Sequence, residues 1–437
     1  MENKTTLLKK ALLALILLVM LLPLAQQHLK FYDSEKLHGA YVPKEQAWFS
    51  MAGWWSGDYQ LRYEEWYNEN FGFRNDLVRV HNQIAYSWYG RAKANGVVIG
   101  KENYLYELNY IRAYTGQDFI GMPQVNGVVT RIKGLQDSLA AKGKTLIICF
   151  APGKASFFPE YIPDGYGPAS DSSNYKIISK LLVENNVNVV DFNKWFMEMK
   201  GKTEYPLYPR TGIHWSRYGS TLALDSLISY IEHKRNVDLP DMIVDGIEWS
   251  DSLISPDQDI GLGMNLMWPI PGYRMGYPRV HFEDTVGKAR VNLMTISDSY
   301  FWQMYELGLI PAPFAREKFY YYYKEVNEPG MATQPANFEL AMSDVENSDV
   351  VLLIATEATV WGVGWGFIED AFDHYVVHKV VQHSDQRVQE WEAAIRTDEK
   401  WMNDLRIKAA ELSIPLDSMI RVDAQYMANE ELKKSKQ

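Results

Sequence analysis

Lys144-Thr145-Leu146-Ile147-Ile148-Cys149-Phe150-Ala151-Pro152-Gly153 is the stretch that decides the fold. Lys144 to Phe150 reads as a nearly continuous apolar strand, and Ala151-Pro152-Gly153 ends it. A strand with one wet face alternates apolar and polar residues. This one does not, so it is expected to be buried on both faces, as in a parallel sheet covered by helices. Cys149, the sole cysteine, sits inside the run and reads as a small buried hydrophobe. A single cysteine rules out an intramolecular disulfide and a cysteine-based zinc site.

Similar signals recur on either side. Val128–Ala141, Asn174–Glu184 and Ser220–His233 have helical spacing, while Val187–Val190, Val291–Ile296, Phe319–Tyr323 and Val350–Ala355 read as further strands. Strands alternating with helices predict an α/β fold with a doubly wound parallel sheet. Ligands of such sheets bind beyond the carboxyl ends of the strands.

The 437 residues are enough for one large α/β domain with appendages. Lys4, Lys9 and Lys10 precede an uncharged run from Ala11 to Ala25. Residues 1–27 are therefore expected to be an uncleaved signal anchor or transmembrane helix, with the basic flank inside and the rest extracytoplasmic. Residues 28–95 read as a stalk and lead-in helices: Asp58–Gly90 has helical spacing interrupted at Gly72. Val97–Ile99 and Tyr104–Tyr106 flank a turn and suggest a hairpin. Residues 96–376 form the expected α/β domain, with a loop-rich inserted segment at 236–289 that holds Pro240, Pro256, Pro269, Pro271 and Pro278. Residues 377–437 read as a small helical appendage and tail, with Asp398 capping its second helix.

A net charge of -11 argues against a nucleic-acid partner, which needs clustered Lys and Arg. The 14 Trp and 28 Tyr fit a sugar-stacking surface, although an aromatic-rich core explains them equally simply. No metal or cofactor is expected: His374 and His378 have helical spacing but no third ligand in a recognisable pattern.

Two patterns carry chemistry. Ile296-Ser297-Asp298-Ser299-Tyr300 follows a buried strand directly. A serine at the mouth of a helix presents its hydroxyl, and nearby backbone N–H groups with the helix dipole can bind an oxyanion. Thr211-Gly212-Ile213-His214-Trp215-Ser216 places a histidine before a helix start, where it can serve a serine as general base. Either pattern alone is equally a helix cap or a satisfied histidine.

Together they resemble the SGNH-hydrolase-like family of alginate O-acetyltransferases, in which an Asp-x-His-Trp motif precedes a Gly-Asp-Ser-aromatic motif. His214-Trp215 matches the first motif. Asp298-Ser299-Tyr300 matches the second, with Ser297 in place of Gly. Asn70-Phe71-Gly72-Phe73-Arg74-Asn75, Ile99-Gly100-Lys101 and Ala151-Pro152-Gly153-Lys154 extend the resemblance, which spans roughly residues 60 to 360. It implies an SGNH-hydrolase-like fold, Ser299 as acyl-accepting nucleophile and His214 as base. Trp215, Asp298, Tyr300 and Lys154 would be adjacent. It also implies O-acyl transfer, of acetyl, to an extracytoplasmic polysaccharide, with acetyl delivered by a multipass membrane acyltransferase partner. The family's acid sits two residues before the histidine, and here that residue is Gly212. Glu357, Asp191 or a backbone carbonyl could replace it, and Gly212→Asp is expected to change activity modestly. A carbohydrate esterase of the same fold, or an inactive polysaccharide-binding scaffold of an export complex, remain alternative readings.

Overall fold

The computed structural model describes residues 4–39, 43–283, 286–306, 313–412 and 414–435. Strands β1 (Val97–Ile99) and β2 (Leu105–Glu107) form the expected small antiparallel hairpin. β3 (Thr145–Ala151) and β4 (Val189–Asp191) belong to the main sheet, β5 (Met242–Ser250) and β6 (Met275–Phe282) pair with each other, and β7 (Val291–Ser297), β8 (Phe314–Tyr321), β9 (Glu325–Asn327), β10 (Gln334–Pro335) and β11 (Val350–Thr356) complete the main sheet. Its order is β10-β9-β8-β7-β11-β3-β4.

The sheet is mixed rather than wholly parallel. β4, β3, β11, β7 and β8 run parallel, whereas β9 and β10 are antiparallel at one edge. Residues 322–324 alone join β8 to β9, too few for the crossover that a parallel pair needs. Tyr322 and Tyr323, read from sequence as strand, form that turn with φ of 50° and 54°.

The apolar run at 144–151 is explained by burial on both faces. Ile147, Cys149 and Ala151 face one core, while Leu146, Ile148 and Phe150 face the other. β11 divides likewise, with Leu352 and Ile354 on the first side and Leu353 and Ala355 on the second. Burying such side chains contributes about 1.5–3 kcal/mol each, which makes this central pair the sheet's anchor.

The inserted segment is not merely loop. β5 and β6 form a long antiparallel hairpin with a bulge between Val244 and Gly246. β5 is half-exposed to exposed throughout, and the buried half of β6 contains Gly276 and Pro278, so no apolar run announces the hairpin. Gly276 is needed there, because a Cβ would lie 2.2 Å from the Tyr205 ring.

Ahead of the sheet, the helix Lys4–Leu29 includes a 25-residue stretch long and apolar enough to cross a membrane. The lead-in helices Asp58–Asn70 and Arg74–Tyr89 break at 71–73, around Gly72. Behind the sheet, His378–Thr397, Glu399–Leu412 and Leu416–Ser435 pack around a core of their own that includes Ile395, Leu405 and Ile420. Asp398 caps the second of these, accepting from Trp401 N at 3.0 Å.

Candidate active site

β7 delivers Ser299 to the carboxyl edge of the sheet. Asp298 caps the 3-10 turn Ser299–Phe301, which continues into the short helix Trp302–Glu306. The Asp298 carboxylate accepts from Tyr300 N at 3.1 Å, Thr359 Oγ1 at 2.8 Å and Thr356 N at 3.3 Å. Those three donors hold the serine turn against the end of β11. The Asp298 carboxylate thereby occupies the Tyr300 N–H, one of the adjacent backbone donors that the sequence pattern offered to an oxyanion.

His214 sits just before the helix Arg217–Arg235, which Ser216 caps by accepting from Gly219 N at 3.0 Å. Trp215 is fully buried against Phe192, Phe196 and Tyr300, and that packing fixes the loop from below. The Tyr300 hydroxyl donates to Ile213 O at 2.7 Å, tying the serine turn to the histidine loop. Lys154 is wholly buried, and its ammonium donates to the carbonyls of Arg210, at 2.8 Å, and Gly212. Burial pulls its pKa down to about 7, against the opposing pull of Asp259.

His214 Nε2 lies 2.8 Å from Ser299 Oγ, and His214 Nδ1 lies 2.6 Å from Asp259 Oδ2. The carboxylate position therefore belongs to Asp259, not to Glu357 or Asp191. Asp259 also accepts from Ile213 N at 2.9 Å through its other oxygen, so one side chain straps both ring and backbone. Glu357 is buried elsewhere and accepts from Ser156 Oγ at 2.6 Å; burial pushes it up to about 7. Asp191 caps the helix Phe192–Met199 and accepts from Tyr175 OH at 2.9 Å. Both are strand-end residues with partners of their own.

Asp259 comes from the segment between β5 and β6, at the start of the helix Asp259–Gly263. Gly212 admits it: a Cβ at 212 would lie 2.7 Å from Pro256 O and 2.9 Å from Asp257 O. The glycine that empties the usual acid position thus makes room for the segment that refills it. Nothing local to the sequence marks Asp259, which lies in a proline-rich stretch 45 positions from its partner.

Burial alone would lower the His214 pKa, but the carboxylates around it, Asp259 foremost with Asp298 and Glu107, outweigh burial and raise it. Glu107, at the end of β2, also escaped the sequence reading; burial and Asp259 push it up. A cavity of about 290 Å³ opens over the site, lined by His214, Ser255, Pro256, Asp259, Ser299, Trp302 and Gln303. A base bonded to a serine hydroxyl, with its other nitrogen fixed by a carboxylate, is the arrangement that activates serine for acyl transfer.

Residues 97–242 match the model of a family described as SGNH hydrolase-like domain, acetyltransferase AlgX. A curated protein of Pseudomonas fluorescens described as probable alginate O-acetylase AlgJ is 22% identical over 182 residues, 41% of this chain and 44% of that protein. The chain thus spans less than half the length of this relative. Among solved structures, the O-acetyltransferase domain of Pseudomonas putida AlgJ is 16% identical at a TM-score of 0.42, over 64% of this chain and 99% of that one. Pseudomonas aeruginosa AlgX is 12% identical at a TM-score of 0.36, over 60% of this chain and 55% of that one. Over residues 97–242 the chain is thus similar to the SGNH hydrolase-like domain of acetyltransferase AlgX.

Proposed function

We propose that this protein transfers an acyl group, acetyl by analogy with its relatives, to a polysaccharide through an acyl-serine intermediate. The observation that carries the proposal is the continuous contact Asp259–His214–Ser299 at 2.6 and 2.8 Å. His214 Nε2 takes the Ser299 proton as Oγ attacks the acyl carbonyl, and Asp259 stabilises the imidazolium that forms. The imidazolium then protonates the leaving group. A sugar hydroxyl next attacks the acyl-serine; His214 takes its proton and returns it to Ser299 Oγ.

The helix Lys4–Leu29 supports a membrane anchor, with the acyl-transfer domain on the extracytoplasmic side and within reach of a membrane-embedded acyl donor. An esterase would share the first half of this sequence and differ only in water replacing the sugar. The inactive-scaffold reading rested on Gly212, and the contact of Asp259 with His214 favours the active reading over it.

The full chain in detergent, mixed with 4-nitrophenyl acetate, should gain the mass of one acetyl group on the peptide containing Ser299. Ser299→Ala and His214→Ala should each abolish the adduct. A folded wild type that acquires no adduct, or keeps one in Ser299→Ala, refutes the assignment.

A further inference from the structure

The helix Asp58–Asn70 has no buried residue, and neither has the short helix Met51–Ser56 before it. Isolated helices of this length are marginal in water, so a stable one needs a surface to lie against. Its aromatic side chains form a continuous row on one face. Trp54 packs on Tyr59 at 6.2 Å between ring centroids, Tyr59 on Tyr63 at 5.7 Å, Tyr63 on Tyr67 at 6.2 Å and Tyr67 on Phe71 at 6.1 Å. Beside the row, Trp48 and Trp55 are 94% and 80% exposed, more than a soluble surface ordinarily leaves open.

The row ends at the exit of the apolar N-terminal helix. A Cβ on Gly72 would lie 2.1 Å from Pro23 O, so residues 71–73 abut that helix near its carboxyl end. Tyr32, just past the same helix, stacks on Phe73 at 6.0 Å and continues the aromatic surface. Thr5–Leu29 spans roughly 38 Å against a hydrocarbon core of about 30 Å, which puts its polar end, Gln26 to His28, at the headgroup level, and a Cβ on Gly72 would also lie 2.7 Å from Gln26 Cβ. Trp and Tyr favour that level, where one end of the ring is dry and the other wet.

We propose that the aromatic face of residues 48–71 lies in the headgroup layer of the lipid bilayer, a second membrane contact beyond the anchor. This rests on the reading of Lys4–Leu29 as a membrane span. The row begins where that span ends, which favours lipid over a polysaccharide strand or a partner protein as its cover. The segment holds one Arg and four carboxylates, and Arg62 is paired with Asp58 at 3.1 Å. Its attachment therefore comes from the rings, not from attraction to anionic lipid.

The test uses the buried Cys149, a silent background for labelling. Trp55→Cys, Tyr63→Cys, Leu15→Cys and Val183→Cys would each carry an environment-sensitive dye on the full chain. The chains would be reconstituted into phosphatidylcholine vesicles with lipids brominated at known depths. Positions 55 and 63 should be quenched at shallow depth, position 15 deeply and position 183 not at all. Adding phosphatidylglycerol should not deepen the quenching at 55. Quenching at 15 but not at 55 and 63 overturns the surface contact and leaves the anchor standing. No quenching at 15 overturns the anchor and the contact with it. Protection of position 55 that appears only when a polysaccharide or a second protein is added assigns the row to that occupant instead, and also overturns the proposal.

Discussion

Asp259 does two jobs with two oxygens, holding the His214 ring and the Ile213 N–H together. Asp259→Asn keeps the shape but removes the charge that favours the imidazolium, so turnover should fall by about two to four orders of magnitude. The pH dependence should move as well. His214 works as a base only when neutral, so the rate falls as pH drops through its pKa, which the surrounding carboxylates raise above 6.5. Without the Asp259 charge burial dominates, and the acid limb of Ser299 acylation should shift to lower pH. A stopped-flow pH profile of the acetyl burst checks this; an unmoved limb would mean that Asp259 does not govern the base. Ser299 and His214 could be read from sequence because each sits in a local pattern at a strand or helix end. Asp259 could not, because only the tertiary fold brings it to the ring.

At the level of elements, the site is where a hairpin meets a sheet. The sheet was legible because β3 and β11 are buried on both faces and so appear as nearly unbroken apolar runs, while β7 is interrupted only by Asn292 and Thr295. The β5–β6 hairpin was hidden because β5 is half-exposed and bulged and β6 is interrupted by glycine and proline. Its contact at Gly212 revises the expectation that Gly212→Asp changes activity only modestly. The atoms that a new Cβ would meet are backbone, Pro256 O and Asp257 O, which cannot swing aside like a side chain. Even Gly212→Ala should push the segment outward and carry Asp259 off the ring. Overpacking of this kind costs about 1–3 kcal/mol. The expected result is a lowered Tm together with a loss of about 10- to 100-fold in acyl transfer, checked by calorimetry and the acetyl burst. Full activity in Gly212→Ala would show that the hairpin adapts.

On the scale of the whole molecule, the three carboxyl-terminal helices keep a core apart from the two that flank the sheet. A chain ending at Val377 should therefore acetylate Ser299 at the wild-type rate, and calorimetry of the full chain should resolve a separate transition for the appendage. Loss of activity in the shortened chain would make the appendage part of the enzyme. The hairpin gives the molecule another property. Along the chain the base comes first, the acid 45 positions later and the nucleophile 85 positions after the base. A chain emerging amino end first exposes its histidine, then its carboxylate, and its serine last. Ser299 meets no activated base until the sheet has closed and the hairpin is seated on Gly212. Under the proposed mechanism an unfinished chain thus carries a serine with ordinary alcohol reactivity, and the capacity to capture an acyl group arrives only with completion of the fold.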